Sequence, residues 1–244
     1  SVLLIGCRLT TISASIPYLQ NFRKASIQRE LLRGYLYDIA HYAKSEEKVK
    51  AEKCYLSLSK QLLDKENHKF QYKEVEKGGR AQKYFSSIDW LSTADMVSLA
   101  YLTRDVQYEL SDYIKEDFFR AYTTDLSLLL AMKDFSLKQH IVENTLIQNT
   151  KGGLYECLLA DILIKKELPL YFYKNELTKK EIDFLTEKEG KIIAIEVKSG
   201  KGKANSLEWL LARKSIEQAY KFHDGNIGKE NAVLSLPLYM AMFL

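Results

Sequence analysis

Residues 181–199 leave this chain few options. Glu181-Ile182-Asp183-Phe184-Leu185 and Lys191-Ile192-Ile193-Ala194-Ile195-Glu196-Val197-Lys198-Ser199 are two runs rich in β-branched and aromatic residues. Between them, Glu187 to Gly190 carries charge and one glycine. That is how strand, turn, strand reads in sequence. Side chains alternate faces along a strand, so Ile193, Ile195 and Val197 share one face, and Ile192, Ala194, Glu196 and Lys198 share the other. Loop length decides whether Asp183 joins them. A two-residue loop, Glu189-Gly190, or a four-residue loop from Lys188 to Lys191, sets Asp183 directly opposite Glu196, with Cβ atoms about 5 Å apart. A three-residue loop sets Ile195 there instead. Carboxylates that close repel unless a cation or a proton lies between them, so either of the first two registers predicts a divalent metal site or a raised pKa. Lys198 stands at its edge. The plain alternative is a solvated strand edge whose lysine blunts aggregation.

An Asp on one strand followed by Glu-x-Lys on the next resembles the signature of the PD-(D/E)xK nuclease-like fold. Three further features of the sequence agree. Lys151-Gly152-Gly153-Leu154-Tyr155-Glu156 opens a helical stretch upstream, where that fold supplies another acid from its first helix. A strand-like run includes Leu236-Pro237-Leu238-Tyr239, and the order helix, strand, hairpin, helix, strand fits an αβββαβ core. The resemblance implies that Glu156, Asp183 and Glu196 hold Mg²⁺ through oxygen ligands, while Lys198 orients water or offsets charge on a phosphodiester. Asp161, beyond the first helical turn after Glu156, reads as a surface residue.

Upstream the pattern is helical. Tyr35, Ile39 and Tyr42 recur at helical spacing within residues 12–44. Ser45, with Glu46 and Glu47 behind it, suits the start of a helix running to about Leu63. Lys69 to Val75 is a short helix or an extended piece, Gly78-Gly79 breaks the chain, and Arg80 to Ala94 carries Tyr84, Ile88 and Leu91 on one stripe. Met96 to Tyr101 reads as a strand, with a second extended stretch near Phe118 to Tyr122. Three helices and two strands is the order of a winged helix. In that fold the helix from Arg80 is the recognition element, and Lys69, Lys73, Arg80 and Lys83 are the candidate nucleic-acid contacts. Such modules also dock proteins, and cations on a helix commonly form a solvated face; phosphate affinity depends on how many reach the backbone together.

Together these stretches resemble one prokaryotic family. Tyr35 with Asp38-Ile39, Leu62-Leu63, Phe70-Gln71-Tyr72, Trp90-Leu91 and Asp125 to Leu130 recur there, followed in order by Lys151-Gly152, Glu156, Glu181 to Phe184, Ile195 to Lys198 and Leu236 to Tyr239. In that family an AAA-type ATPase domain precedes a winged-helix segment and a C-terminal domain of uncharacterised function. The likeness covers roughly residues 30–244; residues 1–29 match it poorly. No G-x-x-x-x-G-K-[ST] stretch is present, and Gly200-Lys201-Gly202-Lys203 lacks the upstream glycine and a following Ser or Thr. No nucleotide site is therefore expected in this sequence, and the absence of an initiating Met reads as the later part of a longer polypeptide whose own ATPase domain is a partner.

The expected organisation is an α/β protein: a helical lead-in over 1–44, a winged-helix domain over 45–123, and a PD-(D/E)xK-like domain over 124–244. Few contacts should then cross near residues 123–150, and no single sheet should run through both halves. The 244 residues carry a net charge of +4, compatible with a phosphate-bearing partner without requiring one. Cys7, Cys54 and Cys157 have no metal-like spacing and cannot all pair, which suits a reducing cytoplasm and small buried thiols. No stretch approaches the roughly 18 apolar residues of a membrane span. Three functions fit: Mg²⁺-dependent phosphodiester cleavage, a non-catalytic DNA-binding or regulatory module that keeps the nuclease fold as scaffold, and a pure protein-interaction domain.

Overall fold

The computed structural model describes residues 18–44, 46–63, 69–133, 135–200, 202, 204–213 and 216–244. It divides into two units that interleave along the chain. The first runs to Ser98 and resumes over Ala121–Thr150; the second is Leu99–Arg120 with Lys151–Leu244. The chain thus passes between the units three times, after residues 98, 120 and 150, and residues 124–150, expected with the C-terminal domain, fall in the first unit.

In the first unit, helix α1 spans Tyr18–Tyr42, α2 Lys48–Leu62, α3 Tyr72–Val75 and α4 Ala81–Thr93. The stripe Tyr84, Ile88 and Leu91 on α4 is fully buried, as its spacing requires. On α1 the expected stripe is corrected at one place. Ile39 is buried and Tyr35 stacks near Tyr55 at 6.2 Å, but Tyr42 is 72% exposed, because Ala43, four residues after Ile39, takes the inward position. The expected cap Ser45 lies outside the described residues. The N-cap of α2 is Glu47, which makes no side-chain capping bond; its carboxylate accepts from Ser87 Oγ of α4 at 2.6 Å. Ser87 is fully buried, so that bond satisfies its hydroxyl on the inner face of α4.

The hydrogen bond from Ser87 holds the Glu47 carboxyl below its ordinary value of 4.5, against the cost of burial and with help from Lys50. A carboxylate whose pKa is lowered by folding contributes stability above its unfolded value, and that contribution is lost as pH falls through the folded value. Ser87→Ala is expected to destabilise by about 1 kcal/mol at pH 7. The gap from wild type should narrow as pH falls below 4.5, measured by urea denaturation at each pH.

Strands β1 (Val97–Thr103) and β2 (Ile114–Thr123) follow, then α5 (Leu126–Ala131) and α6 (Phe135–Glu143). Next come α7 (Gln148–Lys165), β3 (Tyr171–Lys174), β4 (Glu181–Lys188), β5 (Lys191–Val197), α8 (Asn205–Leu211), β6 (Gln218–His223), β7 (Gly228–Glu230) and β8 (Val233–Pro237). The run α7, β3, β4, β5, α8, β6 is the expected αβββαβ order. The sheet is larger than expected, ordered β2-β1-β3-β4-β5-β6-β8-β7. β1 pairs parallel to β3, so the two strands assigned from sequence to a winged helix extend the sheet of the C-terminal part. The expectation that no single sheet would join them is corrected accordingly. β8 ends at Pro237, which offers no N–H to a further ladder bond, and Leu238–Phe243 turn into a 3-10 helix rather than continuing the strand.

Within the second unit, Leu185, Ile192, Ala194, Leu207, Leu210 and Ala219 belong to one buried cluster that joins the hairpin to α8. The helix α7 is buried on nearly every side from Gly152 to Leu163. That includes Asp161, expected at the surface but fully buried and paired with Lys165 at 2.8 Å. Among the described residues, no helix is long and apolar enough to cross a membrane.

Candidate functional site

The hairpin turn is the two-residue loop Glu189-Gly190. Both residues have positive φ, 52° and 74°, the left-handed pair that a tight turn between twisted strands demands. Pairing runs from Lys188 with Lys191 to Phe184 with Ile195. Continued by one step, it sets Asp183 opposite Glu196. The backbone ladder stops there, and the Asp183 carboxylate takes over: its Oδ2 accepts the N–H of Val197 at 2.8 Å. On its other edge β4 shifts register against β3, with Tyr171 facing Leu185 but Tyr173 facing Ile182. Such an irregularity bends a strand and re-aims its groups. Here the carbonyl oxygen of Asp183 accepts from Arg120 Nη1 at 3.4 Å.

Glu196 is buried, 4% exposed, and Lys198 Nζ sits 2.5 Å from its Oε1. On the far side, β6 sets Lys221 in register with Glu196. Burial opposes the charge on Lys198, but the carboxylates of Asp183 and Glu196 outweigh it and raise the pKa. The ammonium is therefore the form the site selects.

Glu156 reaches the site from α7 and meets Arg120, whose Nη1 lies 2.9 Å from Glu156 Oε1; Nη2 of the same guanidinium binds Glu181 Oε1. Arg120 stands on β2, is 5% exposed, and lies over the Phe172 ring at 4.4 Å from its centroid. A buried guanidinium persists only when paired, and two carboxylates and an aromatic face meet that need.

Sequence reasoning singled out Glu156, Asp183, Glu196 and Lys198 and missed Arg120 and Glu181. Each left a trace. Glu181 lies two residues before Asp183 and so on the same face, and Arg120 is the lone charge in Phe118-Phe119-Arg120-Ala121-Tyr122.

The oxygen donors have the chemistry Mg²⁺ takes. Their arrangement, however, answers cations that the protein supplies. Glu156 turns to Arg120 and Glu196 to Lys198. Among the described residues, no group of three acidic, His or Cys side chains is placed to hold one ion. The three carboxylates do not fit a shared Mg²⁺ as they stand.

The candidate nucleic-acid residues lie in the first unit. Lys83 pairs with Glu76 at 2.8 Å, and Lys53 joins the same carboxylate at 2.9 Å. Lys83, then the Tyr84 hydroxyl, then Lys53 hold the Glu76 carboxyl down to about 2. Lys73 and Arg80 are exposed and Lys69 is half-buried. Arg80 is the N-cap residue of α4, with extended backbone and no side-chain capping bond.

Two family models match the chain. Residues 151–239 match the model described as Domain of unknown function (DUF4143), a span holding Glu156, Glu181, Asp183, Glu196 and Lys198. No curated protein and no solved structure matches. The model described as Domain of unknown function (DUF8612) matches residues 17–139, half of the chain, and the chain belongs to that family.

Proposed function

We propose that this chain is the C-terminal region of an AAA-type ATP-binding protein of the cytoplasm. In this reading its nuclease-like domain is a non-catalytic binding or regulatory module. The match over residues 151–239 supports the first part, because DUF4143 is common at the C-terminus of AAA-ATPases. Nucleotide binding then belongs to the ATPase domain, the module's own partner. The buried free thiols of Cys54 and Cys157 suit a reducing compartment. Nucleic acid would be met in the first unit, at Lys73 and Arg80, with Lys69 and Lys83 beside them.

One observation carries the non-catalytic reading: Lys198 spends its charge on Glu196 at 2.5 Å. A lysine engaged on a buried carboxylate is not poised over a phosphodiester. A second reading, Mg²⁺-dependent cleavage of nucleic acid, is favoured by the placing of Asp183 opposite Glu196 with Lys198 at the edge. The two separate in a cleavage assay on single-stranded and duplex DNA and RNA with millimolar Mg²⁺ or Mn²⁺. The non-catalytic reading expects intact substrate in every lane. Divalent-dependent products that vanish in both Asp183→Asn and Lys198→Ala would replace it with the hydrolytic one.

A further inference from the structure

We infer that Arg120 is the resident cation of this site, the side chain that decides whether its oxygens take a metal. The inference rests on the non-catalytic reading and explains how the nuclease frame is held without an ion. Three oxygens from two elements converge on one guanidinium. They are Glu156 Oε1 from α7, Glu181 Oε1 from β4, and the Asp183 carbonyl oxygen, presented where β4 shifts register against β3. Two carboxylates and a backbone carbonyl form the hard oxygen set that divalent ions such as Mg²⁺ and Mn²⁺ take, with water completing the shell.

The guanidinium meets the same demand with a single positive charge. It is 5% exposed, and the two carboxylate side chains are 15% and 18% exposed. Phe172 covers its plane at 4.4 Å. Arginine suits this task better than lysine, because its planar fork spans two carboxylates at once and keeps its charge at any working pH. Without it, two partly buried carboxylates would lose the charge that bridges them, a change that favours uptake of a metal or a proton.

The test uses the whole chain, stripped with EDTA, and compares melting of wild type, Arg120→Gln and Arg120→Lys with and without Mn²⁺ or Mg²⁺. Arg120→Gln is expected to melt lower in EDTA and to recover at least about 5 °C at a hundredfold excess of metal over its dissociation constant. The gain should disappear when Glu156→Gln is added. Wild type and Arg120→Lys, which keep the charge, should not respond. If Arg120→Gln is unfolded in EDTA, the same titration reads refolding by circular dichroism: recovery with Mn²⁺ supports the inference, and none overturns it. An Arg120→Gln protein that folds and ignores both metals also overturns it, leaving the non-catalytic reading in place. A wild type that responds as strongly as the variant overturns both.

Discussion

Phe172→Ala is expected to cost about 4 kcal/mol of unfolding free energy, the largest effect of any single truncation around the site. Phe172 is fully buried on β3, in register with Leu102 of β1, with the Phe118 ring at 6.0 Å. Removing the ring leaves a cavity in packed surroundings and takes away the face on which the Arg120 guanidinium lies. The cavity accounts for most of the cost. Phe172→Leu keeps much of the volume and should cost only about 1.5 kcal/mol, the loss of the aromatic face included. Urea denaturation of the two variants checks this, and an alanine variant within 1 kcal/mol of wild type would contradict the packing of β1 on β3.

Lys198→Ala should destabilise by about 2 kcal/mol. Breaking a buried ion pair from one side commonly costs about 3–5 kcal/mol, because the remaining charge stays behind. Lys198 is 26% exposed at its side chain, so solvent softens that penalty. Glu196 is not softened, being 4% exposed, and the Asp183 charge, one step beyond the last paired residues of the hairpin, acts on the same lysine. Adding Glu196→Gln to Lys198→Ala should therefore recover part of the loss, since it removes the stranded charge; a double variant worse than the sum of the singles would argue against this pairing. The pH dependence has a definite sign. Folding raises the Lys198 pKa above its ordinary 10.5, so the contribution is fully present below that value and fades only as pH rises through the folded one. Between pH 6 and 9 the gap from wild type should stay flat.

The hairpin was the most legible part of the chain, and the reason is geometric. A period of two assigns faces without any knowledge of neighbours, and two of the three loop lengths considered give the same pairing of Asp183 with Glu196. The buried stripe of α4 was legible for the same reason, with Tyr84, Ile88 and Leu91 at helical spacing. What lay hidden was whatever depended on distant partners. Arg120 meets Glu156 and Glu181 across 36 and 61 residues, and no local pattern announces that β2 brings it there. The pairing of β1 with β3 was hidden similarly, because alternation shows that a segment is a strand and not which strand lies beside it. Asp161 misled because a charged residue on a helix is usually solvated, whereas α7 is enclosed on nearly all sides and Lys165, one turn on, supplies the countercharge. The register shift in β4 that aims the Asp183 carbonyl at Arg120 leaves no trace of its own in residue type.

In the non-catalytic reading proposed here, protein cations rather than a metal neutralise the carboxylates around Asp183 and Glu196. Calorimetric titration of Mn²⁺ into the EDTA-stripped wild-type chain tests it most directly. No saturable binding is expected up to millimolar metal. Saturable uptake of one ion per chain, lost in Asp183→Asn, would contradict it.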